Sequence, residues 1–357
     1  MIAYRGFGET METEALLAAT VISFLTSFIL TPRIIEFLSA AQIVAVDLNK
    51  KKKPKLPASG GICVATGILT GILFYVGFKT FSPFHSSPNS QTESIQLLAV
   101  ISCILIVTLS GLLDDLNVKT KAIQTKDGMN VKVGFPQWVK PLLTLPAAVP
   151  LMVIQAGSTT MALPIIGIVD FGILYPILII PIGFVGASNV VNMLGGFNGL
   201  EAGMGTVYTF SLGVFAWMAG RTQAAVLLLI ACAALLAFLR YNWYPAKILP
   251  GDSLTYLLGS LVAAGLIIGN MERAGLLVML PFIIEFVLKA RSKLKASCLG
   301  KLRDDGKLDP PYGKKIYSWT HVMMNLGKLS EREVAVAMIL VQTLFATLPF
   351  IEYAIFK

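Results

Sequence analysis

Two adjacent carboxylates interrupt an otherwise apolar stretch of this sequence. The run from Ile101 to Leu113 is almost wholly apolar, and Asp114 and Asp115 follow it directly in "SGLLDDLN". Neighbouring carboxylates repel each other unless a cation or a proton lies between them, and the C-terminal end of a helix disfavours negative charge. The pair therefore indicates a partner, which could be a lysine, a metal ion or a titrating substrate. The alternative is that both carboxylates are solvated in a loop.

A second polar group lies in "ASNVVNMLGGFNGLEAG" (residues 187–203). Asn189 and Asn192 are three residues apart, so a helix places them on one face. The following "GGFNG" breaks the helix, and irregular backbone at a membrane is tolerated where it lines a cavity or is covered by protein. Its glycines could let the backbone approach a phosphate, although the sequence has no GxxxxGK[ST] nucleotide loop. The alternative for Asn192 is a hydrogen bond between helices.

A third polar group lies in "YNWYPAKILPGDSLTYLLG", where Asp252 begins another apolar segment. Trp243 and Tyr244 occupy the position of an interfacial aromatic belt. Asp252 could serve a catalytic site, or it could act as the N-cap of the helix that follows.

Composition indicates which elements must position these side chains. The chain has 357 residues, 55% hydrophobic and only 14% charged, with a mean hydropathy of +0.74, whereas globular domains are about 25% charged. We therefore predict an all-α polytopic membrane protein, a bundle of about ten transmembrane helices in a single catalytic domain over residues 1–357. The predicted spans are 14–39, 59–80, 94–113, 139–157, 173–193, 201–219, 222–240, 252–269, 272–289 and 331–354. The predicted cytoplasmic loops are approximately 40–58, 114–138, 193–200, 241–251 and 290–330.

Lysine and arginine mark one side of the predicted bundle. All but six of the 29 fall on one alternating set of loops, and the six are Arg5, Arg33, Lys79, Arg221, Arg273 and Lys357. Because these residues accumulate in cytoplasmic loops, we predict that this side faces the cytoplasm, that both termini lie outside and that the protein spans the cell membrane. The bias could reflect topology alone, or it could also attract anionic lipid or an anionic substrate.

The three polar groups are all predicted to lie at the cytoplasmic membrane boundary. Carboxylate and amide oxygens are hard ligands, and Mg²⁺ favours a few of them together with water and substrate phosphates. The four cysteines are scattered and only two histidines occur, so neither a disulfide framework nor a zinc site is supported. We predict a Mg²⁺ site, with Mn²⁺ as a substitute, for a phosphate-bearing substrate. The expected partners are this substrate and the lipid bilayer, without nucleic acid.

The motifs "LLDDLN", "NVVNMLGGFNGLEAG", "YNWYPAKILPGDSLTYLLG" and "DLNK" (47–50) resemble the polyprenyl-phosphate N-acetylhexosamine-1-phosphate transferase superfamily. Within it, the chain is most similar to the archaeal and eukaryotic UDP-GlcNAc–dolichyl-phosphate GlcNAc-1-phosphate transferases. The resemblance implies ten helices, both termini outside and transfer of GlcNAc-1-phosphate from UDP-GlcNAc to polyprenyl or dolichyl phosphate, with release of UMP. This would be the first membrane step of glycan assembly. Relatives often dimerise, so a homodimer is also implied.

The resemblance also implies roles for particular residues. Asn192 and Asp252 match the Mg²⁺ positions, and Asn198 matches a nucleotide-contacting amide. Asp114 and Asp115 match the catalytic carboxylates. An aspartate could take a proton from the lipid phosphate, orient a lysine and the metal, or form a covalent intermediate, and the sequence does not choose among these roles. Lys140 matches the lysine for the lipid phosphate, with Lys119 or Lys121 as alternatives.

Further substrate contacts follow from the same resemblance. Asp47 and Asn49 match a first cytoplasmic loop that closes over the sugar nucleotide, and Glu201 belongs to the "NGLEAG" motif. The loop over 290–330 departs from the family, because it lacks the histidine-rich or Arg-His-Arg element and has no histidine before His321. Arg291 or Arg303 could supply the bidentate diphosphate contact instead. The departure argues against a cell-wall enzyme that uses UDP-MurNAc-pentapeptide.

Other functions stay open on the sequence alone. The same chemistry could act on another UDP-N-acetylhexosamine or on UDP-MurNAc-pentapeptide. A secondary transporter would place broken helices and polar residues near the membrane centre, whereas here the polar groups lie at one boundary. A purely structural membrane protein would leave the Asp-Asp pair and the Gly-rich turn without a purpose.

Overall fold

The computed structural model describes residues 2–81, 90–116, 123–124, 130–131, 135–163 and 167–356. Within these ranges most of the chain is helical. The helices are α1 (Ile2–Ala40), α2 (Gly61–Phe81), α3 (Ser90–Leu116), α4 (Val139–Thr144), α5 (Val149–Val153), α6 (Ile180–Asn192), α7 (Leu200–Met218), α8 (Thr222–Asn242), α9 (Gly251–Gly269), α10 (Glu272–Val278), α11 (Leu280–Ala290), α12 (Trp319–Leu326), α13 (Glu331–Ala346) and α14 (Leu348–Phe356). A 3₁₀ turn, Leu145–Ala148, joins α4 to α5, and a π-helical turn, Tyr175–Ile179, leads into α6.

The described strands form short antiparallel hairpins between helices. They pair β1 (Val44–Val46) with β2 (Lys55–Pro57), β3 (Ile123–Gln124) with β4 (Asn130–Val131), β5 (Thr160–Leu163) with β6 (Gly167–Asp170), and β7 (Lys301–Leu302) with β8 (Leu308–Asp309). Because no described sheet has more than two strands, the predicted all-α class is confirmed.

Seven helical segments of the described chain are long and apolar enough to cross a membrane. They are Met11–Ala40, Gly61–Phe81, Gln91–Leu116, Tyr175–Asn192, Thr222–Asn242, Gly251–Gly269 and Glu331–Ile355. The polytopic class is thereby confirmed, but the number of ten helices is not. The predicted span 139–157 contains the short helices α4 and α5, and the span 272–289 is divided into α10 and α11. The span 201–219 is the single helix α7, in which Glu201 and several Gly, Ser and Thr residues lower the hydropathy.

Helix α9 lies at the centre of the bundle and packs against α3, α6 and α8. Of the apolar 18-residue window of α9 that could lie in the membrane, 83% is buried, which is the largest share among the seven candidate segments. Glycines permit the closest approaches to it: a Cβ on Gly61 of α2 or on Gly111 of α3 would lie 2.3 or 2.4 Å from the backbone of Ser253. The beginning of α2, the end of α3 and the beginning of α9 therefore meet at one end of the bundle.

Candidate active site

Asp115, at the end of α3, caps the beginning of α9. Its Oδ1 accepts a hydrogen bond from the backbone N–H of Asp252 (2.7 Å), and its Oδ2 accepts from the N–H of Ser253 (3.2 Å) and the hydroxyl of Ser59 (2.7 Å). A helix N-terminus favours such an anionic cap. The alternative that Asp252 is the N-cap is wrong, because the N-cap residue is Pro250 and the carboxylate comes from α3.

Lys140 bridges two carboxylates that belong to different helices. Its Nζ lies 2.9 Å from Oδ2 of Asp114 on α3 and 3.0 Å from Oδ2 of Asp252 on α9. The same Asp114 Oδ2 accepts a hydrogen bond from the Tyr256 hydroxyl (2.8 Å), and its Oδ1 accepts from the backbone N–H of Phe135 (2.8 Å). The Asp114 side chain is fully buried. The ammonium therefore compensates the charge of a buried carboxylate.

Asn189 and Asn192 on α6 have different surroundings. The Asn189 amide donates to the hydroxyl of Thr144 (3.1 Å) and to the carbonyl of Val185 (2.8 Å), so it joins helices. The Oδ1 of Asn192 accepts a hydrogen bond from the Thr255 hydroxyl (2.8 Å). That hydroxyl also lies 3.3 Å from the Asp252 carbonyl oxygen, so α6 and α9 bring Asn192 close to Asp252.

The Gly-rich turn between α6 and α7 is held from two sides. The Glu201 carboxylate accepts from the N–H of Gly196 (2.7 Å), and the Asn49 amide donates to the Gly196 carbonyl (2.8 Å). The Asn198 amide donates to Asp47 (3.0 Å). Asp47 and Asn49 both follow β1, so the β1–β2 hairpin and the turn form one wall.

Two buried polar atoms on this wall have no hydrogen-bond partner within the described structure. They are Oδ1 of Asn198 and Oε2 of Glu201, whose residues are 3% and 7% exposed. A buried acceptor without a donor is costly. Both residues line the cavity described below, so a bound ligand could supply the missing donors.

An ion pair joins the hairpin to α13. Lys50 pairs with Glu331, lies 3.4 Å from Asp47 and stands 4.2 Å above the centre of the Tyr244 ring. Glu331 also accepts a hydrogen bond from the backbone N–H of Asn198 (2.9 Å). The beginning of α13 is therefore tied to the Gly-rich turn and the hairpin together.

These groups surround a cavity of about 540 Å³ at one end of the bundle. A further wall is the irregular segment after α11, from Leu294 to Leu299. Lys289, at the end of α11, also lines the cavity, and its Nζ lies 3.4 Å from Sγ of Cys298 and 3.8 Å from Oε1 of Glu285. The cavity is thus lined by several acidic groups, four side-chain amides and the lysines 140, 289 and 295.

Eight of the predicted site residues line this cavity together: Asp47, Asp114, Asp115, Lys140, Asn192, Asn198, Glu201 and Asp252. Asn49 does not line it but binds the Gly-rich turn from behind. Their chemical roles stay predictions. The alternatives Lys119 and Lys121 lie outside the described residues.

Arg291 and Arg303 are not among the residues that line the cavity. Arg291 is exposed, and its guanidinium faces the Ile316 carbonyl (3.4 Å) and the ring of Tyr317. Arg303 belongs to the β7–β8 hairpin, where it pairs with Asp305 and Asp309. The structure therefore gives no support to a diphosphate contact from either arginine, and it places lysines in the cavity instead.

Several residues of the site were missed by the sequence reasoning. Tyr256 lies four residues after Asp252, so helical spacing could have placed both on one face of α9. The roles of Ser59, Lys289 and Glu331 depend on contacts with distant segments, which no local pattern reveals.

The oxygen donors of the cavity fit only part of what Mg²⁺ requires. Among the described residues, no group of three or more His, Cys, Asp or Glu could hold a metal ion. Mg²⁺ is commonly bound by one or two protein ligands, with water and substrate phosphates completing its shell. Asn192 and Asp252 supply one amide and one carboxylate to the lining of the same cavity. These residues therefore fit a cation shared with a phosphate substrate, but not one enclosed by protein alone.

The fold and the site together define a class. A polytopic helical protein that gathers carboxylates, amides and lysines in one cavity at the end of its bundle has the groups needed for phosphoryl transfer at a membrane.

The sequence profile of glycosyl transferase family 4 matches residues 97–270. A protein of Saccharolobus solfataricus is 34% identical over 96% of this chain and 98% of its own length, and one of Sulfolobus acidocaldarius is 31% identical over 93% and 94%. A protein of Dictyostelium discoideum, named UDP-N-acetylglucosamine–dolichyl-phosphate N-acetylglucosaminephosphotransferase, is 26% identical over 91% and 85%. The first two carry the same name in provisional form. The chain belongs to glycosyl transferase family 4 and is a glycosyl phosphotransferase. The alternatives of a secondary transporter and of a purely structural membrane protein are therefore set aside.

Proposed function

We propose that the chain transfers GlcNAc-1-phosphate from UDP-GlcNAc to a membrane polyprenyl phosphate, specifically dolichyl phosphate, giving polyprenyl-diphosphate-GlcNAc and UMP. One observation carries the proposal: Asp114, Lys140, Asn192 and Asp252 converge on a cavity that the Gly-rich turn also lines. The names of the relatives, which specify these two substrates, support the choice of sugar and lipid.

The reaction brings two anions together. An oxygen of the lipid phosphate attacks the β-phosphorus of UDP-GlcNAc and forms a new P–O bond, while the bond from that phosphorus to the oxygen bridging to UMP breaks. Catalysis of this kind depends mainly on positioning and on neutralising charge. We assign Lys140 to the lipid phosphate, because it lines the cavity and its ammonium is held by Asp114 and Asp252.

Asn192 and Asp252 would hold Mg²⁺, for which Mn²⁺ could substitute. When bound, the cation would neutralise negative charge on the diphosphate and polarise its phosphoryl oxygens. The chain contributes the hard oxygen donors, and Thr255 of α9 binds Oδ1 of Asn192 one turn after Asp252.

The sequence leaves three roles open for the two aspartates: proton abstraction, orientation of neighbouring groups and covalent attack. Their contacts favour orientation of neighbouring groups. Every carboxylate oxygen of Asp114 and Asp115 accepts at least one hydrogen bond from the protein. We therefore assign Asp114 to orienting Lys140 and Asp115 to orienting the beginning of α9, rather than to proton abstraction or covalent attack.

The proposed setting is the cell membrane, with the cavity facing the cytoplasm and both termini outside. The concentration of Lys and Arg on the loops around the cavity supports this orientation. A homodimer stays a prediction from the resemblance.

The test is release of UMP by purified protein supplied with Mg²⁺, a polyprenyl phosphate and a panel of labelled UDP-sugars. We expect UMP and a labelled lipid product with UDP-GlcNAc, and no turnover after chelation of the divalent cation. Turnover with a different UDP-sugar, and none with UDP-GlcNAc, would show that GlcNAc is not the sugar transferred. Absence of UMP release with every UDP-sugar would refute the proposed reaction.

A further inference from the structure

The cavity wall from Ser297 to Leu299 has no regular secondary structure. It nevertheless contacts the Gly-rich turn closely. The thiol of Cys298 donates to the carbonyl of Met193 (3.4 Å), and a Cβ on Gly196 would lie 2.8 Å from the Leu299 side chain. An irregular segment in such a position needs support from side chains elsewhere in the chain.

That support comes from the beginning of α12. The Thr320 hydroxyl donates to the Cys298 carbonyl (2.6 Å), and Nε2 of His321 lies 2.9 Å from the Ser297 carbonyl oxygen. The α12 N-terminus is itself held by Glu285 of α11, whose carboxylate accepts from the N–H of Trp319 (2.8 Å) and the hydroxyl of Ser318 (3.0 Å). The wall is therefore fastened to a fixed helix end.

The hydrogen bonds of His321 determine its tautomer. The backbone N–H of Tyr317 donates to Nδ1 (3.2 Å), so Nδ1 carries no proton. Nε2 must then be the protonated nitrogen, and it donates to the Ser297 carbonyl. The ring is fully buried, and burial lowers the pKa of His321 to about 4. The imidazole is thus neutral near pH 7, with both nitrogens engaged inside the protein.

We propose that His321 is a positioning residue for the sugar nucleotide, which it serves by fixing the Ser297–Leu299 wall against the Gly-rich turn. The ring does not line the cavity. This inference rests on the proposed function for the identity of the nucleotide, whereas the fixing of the wall can be measured without turnover.

Two substitutions separate the contacts of His321. In His321→Gln, the amide nitrogen stands as many bonds from Cα as Nε2, so it can still donate to the Ser297 carbonyl. In His321→Asn, the amide oxygen takes the place of Nδ1, which keeps the contact with Tyr317 and loses the one with the wall. The two variants therefore differ in whether the side chain can donate a hydrogen bond to the Ser297 carbonyl.

The first measurement is the rate at which a small maleimide modifies Cys298, followed by peptide mass spectrometry without substrate. We expect His321→Asn to raise this rate about tenfold, the effect of losing one hydrogen bond of ordinary strength, and His321→Gln to change it about twofold or less. Cys63, Cys103 and Cys232 are also buried free thiols and serve as internal controls.

The second measurement is the UMP-release assay. We expect His321→Asn to raise the KM for UDP-GlcNAc by about tenfold with an unchanged KM for the polyprenyl phosphate, and His321→Gln to restore the wild-type KM. Equal Cys298 rates in the Asn and Gln variants, or parallel acceleration of all four cysteines, would overturn the proposal. A wild-type protein that releases no UMP would refute the proposed function, while the Cys298 rates would still decide whether His321 holds the wall.

Discussion

At the residue scale, the charges of the cavity depend on one another. Lys140 contacts both Asp114 and Asp252, so removal of either partner changes how the ammonium is directed. Lys289 lies elsewhere in the lining, beside a thiol and at 3.8 Å from a carboxylate. The two lysines are therefore expected to serve different phosphates.

We predict that Asp252→Asn reduces turnover by about 10²- to 10³-fold, because it removes a charge that the transition state requires and weakens the proposed metal position. The backbone N–H of residue 252, which binds Asp115, is retained. UMP release measures the effect, and Asp304→Asn, an exposed acid on the β7–β8 hairpin, is the control. Equal rates in the two variants would remove Asp252 from the reaction.

We predict that Lys289→Met weakens binding of UDP about tenfold and leaves binding of UMP unchanged, because a charge-assisted contact to the second phosphate is lost. Calorimetric titration of both nucleotides in detergent measures the difference. Lys293→Met is the matched control, since Lys293 is exposed on the same segment and does not line the cavity. An equal loss of affinity for UMP and UDP would show that Lys289 does not contact the second phosphate.

At the element scale, the beginning of α9 organises the site. It contributes Asp252 and Thr255 to the cavity lining, binds Asp114 through the Tyr256 hydroxyl and receives its cap from Asp115 on α3. Gly251 has a positive φ of 69°, and a Cβ there would lie 2.4 Å from the Asp115 carboxylate. A glycine at position 251 therefore allows the Asp115 carboxylate to reach the first turn of α9.

We predict that Asp115→Asn lowers the free energy of unfolding by about 1–3 kcal/mol, because the amide loses the charge and cannot accept all three hydrogen bonds. Thermal unfolding in detergent measures the change. Ser59→Ala removes only one of the three donors and should cost less. If the two variants have the same stability as the wild type, Asp115 does not cap α9.

The buried His321 of α12 predicts a dependence of stability on pH. The pKa of His321 is about 4 in the folded protein against 6.5 ordinarily, so on acidification the unfolded chain binds a proton first. The contribution is present above about pH 6.5 and is lost as the pH falls toward 4. We expect His321→Gln, which cannot titrate, to show a shallower decline of the unfolding temperature over that interval. An unchanged slope would show that the His321 ring is not kept neutral by burial.

At the scale of the whole molecule, the orientation of the termini depends on the number of times that the chain crosses the membrane. Both termini outside requires an even number of crossings, whereas seven described segments qualify by length and composition. The prediction therefore needs α7, the α4–α5 segment or the α10–α11 segment to contribute crossings as well.

We predict that Lys52→Cys is labelled by an impermeant maleimide only after cells are opened, and that Arg221→Cys is labelled in intact cells. Lys52 is exposed between β1 and β2 on the cavity side, and Arg221 is exposed at the far end of α7. The natural cysteines are buried and give a low background. Labelling of both positions from the same side would show that the chain between them does not cross as predicted.

Composition and local motifs predict the all-α membrane class, the family and eight of the residues that line the cavity. Hydropathy is a sum over residues, and the motifs around Asp114, Asn198 and Asp252 are local in the chain, so both can be read without coordinates. The interruptions in α4–α5 and α10–α11 are visible only in the folded chain, because prolines alone do not predict them: Pro32 lies inside the continuous helix α1, whereas Pro281 lies in the first turn of α11. Likewise, only the tertiary structure placed Lys289 in the cavity and Arg291 and Arg303 outside it, since the direction of a side chain is fixed by packing between segments far apart in sequence. The capping of α9 by Asp115 could not be predicted from the sequence either, because its hydrogen bonds join residues more than a hundred positions apart.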